Sequence, residues 1–265
     1  MCNDNFFSRV WAALIFFTRL PLWRLYQPPR RCYDSVVEHW PLAGWLTGIV
    51  MAAVIYFGSL LVTPALAAAL AIVARLFMTG ALHEDGLADF FDGFGGGSDR
   101  ERVLAIMKDS RIGTFGVLAL MAHFLILWLC LSSMPPHIAA AVILAADPYS
   151  KMVAGQIIQI LPYARTAETA KAGIVYRRIS VAAGIILFLE GMLPMVPLFV
   201  FYGDIFHWQL VIFTPCVVFY FLYLFIRRRL HGYTGDCCGA VCLILETTFL
   251  LTACFQLNSL TLINS

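Results

Sequence analysis

Charge is what this chain has least of. Asp, Glu, Lys and Arg make up 13% of its 265 residues, against 61% hydrophobic residues and a mean hydropathy of +0.81. Too few polar side chains remain to clothe a water-soluble globule of this size. The net charge of +2 is also small, which excludes nucleic acid as a partner on bulk electrostatics. Eight cysteines form no CxxC pair, so the thiols read as reduced and mostly structural. No small-residue cleavage site follows the first apolar stretch, where Pro21, Leu22 and Trp23 come next, and this argues against a removable signal peptide. The alternation that a membrane barrel needs is missing, and so is an internal repeat.

What is present is a series of apolar runs, each long enough to cross roughly 30 Å of hydrocarbon as about 20 residues of helix. They lie at about 40–62, 64–82, 115–133, 138–161, 181–202, 208–226 and 239–257. Backbone amides inside lipid need partners, and without a barrel pattern only helices supply them. The expected fold is therefore all-α: a polytopic bundle of about seven transmembrane helices, forming one integral-membrane domain over 1–265. The stretch Phe6 to Leu20 is apolar but carries Arg9 and Arg19, and it reads as an N-terminal interfacial helix.

Basic residues fall on one side of this arrangement. Arg24, Arg30 and Arg31 precede the first span, and Arg100, Arg102, Lys108 and Arg111 follow the second. Arg165, Lys171, Arg177 and Arg178 follow the fourth, and Arg227, Arg228 and Arg229 the sixth. The opposite loops, Val62 to Pro64, Ser132 to His137 and Gly203 to His207, hold no Lys or Arg. By the positive-inside rule the basic side is the cytoplasm, the membrane is the cell's inner membrane, and the C-terminus is periplasmic. The basic face suits anionic lipid headgroups of the bilayer or a phosphorylated substrate.

Seven of the sixteen acidic residues lie between 84 and 109, most of them in His83-Glu84-Asp85-Gly86-Leu87-Ala88-Asp89-Phe90-Phe91-Asp92-Gly93. Asp85, Asp89 and Asp92 stand at i, i+4 and i+7, on one face of a helix continuing out of the second span. Like charges at that spacing cost roughly 0.2–0.5 kcal/mol per pair, so a cation should compensate them. Oxygen-only ligands suit Mg2+, which takes one or two carboxylates together with substrate phosphates. Asp85, Asp89 and Asp92 are the expected metal ligands. Glu84 lies beside that face as a further candidate ligand, and His83 as an orienting group or base. The glycines at 93 and 95–97 would free backbone amides for phosphate oxygens.

Two more elements share the basic side. Arg100 to Asp109 reads as a short helix, followed by Ser110, Arg111, Ile112, Gly113, Thr114, Phe115 and Gly116. There Lys108 and Arg111 could neutralise a diphosphate. His231 to Ala240 opens the last span, with Asp236 at the helix start, where a cap is its simplest role.

With these three elements in order, the chain closely resembles the cobalamin synthase family, the adenosylcobinamide-GDP ribazoletransferases. The family's runs look like H-x-D-G-L-A-D-x-x-D-G, I-M-K-D-S-R-x-G-x-x-G and G-x-T-G-D-x-x-G-A, and they match His83 to Gly93, Ile106 to Gly116 and Gly232 to Ala240. The resemblance implies transfer of a cobinamide phosphate from adenosylcobinamide-GDP to a ribose hydroxyl of α-ribazole or its 5'-phosphate, with release of GMP and Mg2+ as cofactor. By motif, catalysis falls to Asp85, Asp89, Asp92 and His83, and the substrate contacts to Lys108, Ser110, Arg111 and Asp236. The chain departs from the family where His231 replaces a frequent second glycine, at Cys237 and Cys238, and at Asp147 to Lys151, where an arginine-bearing stretch is expected. A CDP-alcohol phosphatidyltransferase shares the opening of the acidic run, Asp89 to Gly93, but its continuation is missing. A transporter would account for Arg75, Asp147, Lys151 and Glu190 within spans. The sequence leaves room for a homo-oligomer. An accessibility tag fused after Ser265 is expected to react from the periplasmic side of intact cells, and cytoplasmic labelling alone would overturn the orientation.

Overall fold

Cap and breaker residues set the ends of the helices. In the computed structural model, which describes residues 5–165 and 175–263, Asn5 accepts a hydrogen bond from the Ser8 amide and starts α1, Phe6–Phe17. Cys2 and Lys171 lie outside the described residues. A 3-10 segment, Arg30–His39, leads into α2, Trp40–Gly58, with Pro41 in the first turn. Thr63 caps and Pro64 opens α3, Pro64–Thr79. The chain continues through α4 (Leu82–Gly96), α5 (Arg100–Lys108), α6 (Thr114–Ser133), α7 (Pro136–Ala154) and the single turn α8 (Ile157–Ile160). It ends with α9 (Val181–Met192), α10 (Met195–Tyr202), α11 (Trp208–Leu230) and α12 (Gly235–Ile263).

Among the described residues, six helical stretches are long and apolar enough to cross a membrane, and a seventh results if α3 and α4 are one broken span. The expected bundle is therefore present, with one change of shape. The acidic helix does not continue out of α3. It leaves at 91°, through Gly80 and Ala81, both in the left-handed region at φ 64° and 57°. Arg19 donates its amide to the Met78 carbonyl, and its side chain lies over Gly80 where any Cβ would collide with it. The α1 helix itself packs on the 3-10 segment and α2, burying Ser8, Ala12, Ala13 and Phe17.

At the centre stands α7, the helix with the largest buried share. Its spanning window is 89% buried within the protein, against 28% for the α9–α10 stretch and 17% for α11. It packs most extensively on α2. There Gly44 and Gly48 form a small-xxx-small pair, and a Cβ on Gly44 would lie 2.9 Å from the Pro148 backbone. The close approach lets Thr47 of α2 donate to the Asp147 carboxylate at 2.6 Å, while Lys151, one turn on, pairs with the same carboxylate.

A second buried pair crosses the bundle. Arg75 of α3 donates to both carboxylate oxygens of Glu246 on α12, at 2.6 and 2.8 Å, and a further guanidinium nitrogen lies 3.8 Å from Glu84 of α4. His39 meets Glu190 of α9 at 2.8 Å. Arg75, Asp147, Lys151, Glu190 and Glu246 are thus each paired with a group of opposite charge or with a histidine. Charges in hydrocarbon persist only when partnered, so these contacts fix which helices can be neighbours. Replacing Arg75 by Met is expected to lower stability by about 3–5 kcal/mol, because two buried carboxylates lose their cation. Thermal unfolding in detergent checks this, with Arg75→Met/Glu246→Met recovering part of the loss. A single variant melting with the wild type would show that the pair does not hold the elbow.

Candidate active site

The elbow sorts the residues of the acidic run by direction. Glu84 is buried beside Arg75, 3.8 Å from its guanidinium. His83 is buried on the other side of the helix. Its Nε2 accepts a hydrogen bond from the Trp40 indole at 3.1 Å, and its ring lies within 14° of parallel to Trp40 and Phe17. Asp85 points outward and is exposed.

Asp89 and Asp92 follow on the same helical face, both buried. Asp92 is committed to the backbone of another helix, where its two oxygens accept the Gly113 amide at 2.7 Å and the Gly116 amide at 2.8 Å. A carboxylate seated on the first turn of α6 matches that helix's positive end. Both glycines are required, since a Cβ on either would collide with Asp92. Asp92 therefore joins the first and second motifs. The glycine run is also explained by packing. Side chains at 93, 95 or 97 would collide with Met107, Phe115 and Val103, and the amide of Gly97 bonds to the Gly93 carbonyl. Among the described residues, no three His, Cys, Asp or Glu side chains are spaced to hold a metal by themselves.

The third motif arrives from α12. Gly86 and Gly239 face each other across the α4–α12 crossing; a Cβ on Gly86 would touch the Asp236 backbone and one on Gly239 the His83 backbone. The cap of α12 is Thr234, whose hydroxyl accepts the Cys237 amide, not Asp236 as expected. Asp236 sits in the first turn, 3.9 Å from Arg165. His231 takes φ 54°, the left-handed conformation at the end of α11 that a glycine would adopt freely.

Two concavities meet at Asp85. One is a largely enclosed cavity of 130 Å³ walled by Phe16, Phe17, Trp40, His83, Tyr163 and Tyr176, with Asp85, Arg165 and Asp236 at its polar end. The other, 590 Å³ and open, is bordered by Arg19, Glu84, Asp85, Ala88 and Ile112. Lys108, Ser110 and Arg111 border neither; they are exposed on the loop beside Ile112. The Arg111 guanidinium donates to Asp109 and holds that carboxyl down at about 2. Sequence reasoning missed Arg19 and the aromatic walls. It saw Arg165 only as a topology signal, although the clustering of Trp40, Tyr163 and Tyr176 at one end of the spans was visible.

Known proteins match this sequence over most of its length. The family model described as cobalamin-5-phosphate synthase matches residues 9–254. A protein of Shewanella baltica (strain OS155 / ATCC BAA-1091) named adenosylcobinamide-GDP ribazoletransferase is 35% identical over 247 residues, 89% of each chain. Similar proteins of that name from Vibrio parahaemolyticus serotype O3:K6 (strain RIMD 2210633) and Mesorhizobium japonicum (strain LMG 29417 / CECT 9101 / MAFF 303099) are 36% and 38% identical. They cover 91% and 93% of this chain, and 89% and 93% of their own. No solved structure matches.

The different surroundings of the acids predict different responses to substitution. Asp92→Ala is expected to lower stability by about 1–3 kcal/mol, because two amides lose their acceptor. Exposed Asp85→Asn should stay within about 0.5 kcal/mol of the wild type. Thermal unfolding of both variants in one detergent checks the pair, and equal losses would refute the division.

Proposed function

The chain belongs to the cobalamin-5-phosphate synthase family, and we propose that it transfers the cobinamide phosphate of adenosylcobinamide-GDP to a ribose hydroxyl of α-ribazole or its 5'-phosphate, releasing GMP. The observation that carries the reading is the position of Asp85 on the wall between an enclosed cavity and an open one, where two substrates of unequal size could meet.

Phosphoryl transfer asks mainly for positioning and charge neutralisation. The N-terminus of α12 lines the enclosed cavity at Gly235 and Asp236, so its helix dipole favours negative charge there. Arg19 borders the open side and Arg165 the enclosed one. With Glu84 beside Arg75 and Asp92 holding α6, exposed Asp85 and buried Asp89, one turn apart on α4, are the pair we assign to the metal. Two carboxylates are the number Mg2+ takes when it comes with substrate phosphates. The donor set therefore fits that ion, and Asp85 and Asp89 would hold it. Mg2+ supplies Lewis-acid neutralisation of the diphosphate oxygens. Asp236, at the polar end of the enclosed cavity, is our assignment for the group that accepts the proton of the attacking hydroxyl. Arg165, 3.9 Å away, balances the charge of that carboxylate.

The catalytic end carries Arg100, Arg165 and Arg177 with the three arginines closing α11, and this one-sided charge supports an opening to the cytoplasm from the inner membrane. Some of these arginines also brace the loops: Arg100 donates to the carbonyls of Leu230 and Ala164, and Arg229 to that of Gly97. Pairing of the intramembrane charges within the bundle gives them a structural role without transport.

GMP release by the detergent-solubilised protein, given adenosylcobinamide-GDP and α-ribazole, tests the reaction. Chelation of Mg2+ is expected to slow it by about 100-fold or more, and Asp89→Asn to do the same. A folded wild type that releases no GMP would overturn the assignment, and full activity in chelator would overturn the metal.

A further inference from the structure

The enclosed cavity is unusual for its aromatic content. Phe17, Trp40 and His83 form a near-parallel cluster with centroid separations of 5.2, 5.6 and 6.0 Å, all three side chains nearly fully buried. Across the space stand Phe16 and Tyr176, edge to face at 6.3 Å, and Tyr163, itself packed against Tyr233 at 5.3 Å. The indole N–H of Trp40 is spent on His83 Nε2, so this wall offers a ligand mainly aromatic surface. Charged groups in its lining are Asp85, Arg165 and Asp236, the last two 3.9 Å apart.

A cavity of 130 Å³ is far too small for a corrin macrocycle; it is near the size of one of about 150 Å³ that holds a single benzene ring, and its open mouth leaves room for a second, fused ring to protrude. It suits a flat ring system whose remaining parts leave through the polar end. Guanine is a poor match: its several edge donors and acceptors would each need a partner on burial, at about 1–3 kcal/mol for every one left unsatisfied. A benzimidazole attached to ribose brings one ring acceptor and two π-faces. We propose that the aromatic cavity seats the weakly polar bicyclic base of the acceptor nucleoside, with its ribose held toward Asp85 and Asp236. The donor's diphosphate then lies on the open side, next to Arg19. This rests on the transferase reading and assigns the acceptor to one of its two concavities.

The test uses the whole detergent-solubilised protein with Phe16→Leu and Tyr163→Leu, which remove an aromatic face while keeping apolar bulk, and Tyr163→Phe as the conservative control. Stacking of one base on one ring is worth about 1–3 kcal/mol. Each Leu variant is therefore expected to raise KM for α-ribazole roughly 10-fold or more, with KM for adenosylcobinamide-GDP within about 2-fold of wild type. Tyr163→Phe should restore the wild-type value. Equilibrium dialysis of α-ribazole without Mg2+ or the second substrate gives an independent reading. Free dimethylbenzimidazole should displace the bound nucleoside and GMP should not. Displacement by GMP, or a rise confined to KM for adenosylcobinamide-GDP, would overturn the proposal in favour of a guanine seat. Unchanged constants in both folded variants would overturn it in favour of simple packing. A wild type that binds α-ribazole at this cavity yet releases no GMP would sink the transferase reading while leaving the base site standing.

Discussion

The contact of one Arg75 guanidinium nitrogen with both carboxylate oxygens of Glu246 is the interaction on which the catalytic end depends. A guanidinium in the hydrocarbon layer has no water to satisfy it, and removing its partner leaves a buried charge whose cost exceeds that of almost any packing defect. The pair therefore fixes α3 against α12, and the proximity of Glu84 to the same guanidinium turns the start of α4 inward. Once Glu84 points in, helical periodicity sends Asp85 out. The left-handed residues at the elbow make the right-angled turn that this requires.

Much of the bundle was legible in the sequence because a bilayer enforces a simple rule. Runs of about 20 apolar residues must become helices, and their ends fell within a few residues of the expected positions. The elbow was harder to read. Gly80 signals a helix end, but Ala81 in a left-handed conformation carries no local signature, and the bend is packed by Arg19, some sixty residues earlier, and by Arg75, whose partner Glu246 is far along the chain. Periodicity gave the shared face of Asp85, Asp89 and Asp92 correctly. It could not distinguish a carboxylate facing solvent from Asp92, which faces two amides of another helix 21 and 24 residues away. The same limit applies to Glu84, whose partner Arg75 belongs to a preceding span.

The site also depends on close backbone approach. Gly86 and Gly239 bring α4 and α12 together so that carboxylates from motifs about 150 residues apart face one space. In the sequence these glycines look like ordinary turn or phosphate-loop residues. In the structure they are contact points, as are Gly93 and Gly97 against α5. The aromatic walls come from a different source: α1, the start of α2 and the loop after α8 contribute rings that show no shared pattern until the chain is folded.

The centre of the molecule has one more implication, which follows from how thoroughly α7 is enclosed. Its neighbours, not lipid, cover almost its whole surface, whereas α9, α10 and α11 form much of the outer sheath. Variation in acyl-chain length or exchange into micelles is thus felt first by that sheath. Asp147 and Lys151 keep the same surroundings throughout. The protein behaves as a small polar-cored body that carries its own insulation, and its adaptation to different host membranes is left to the outermost side chains.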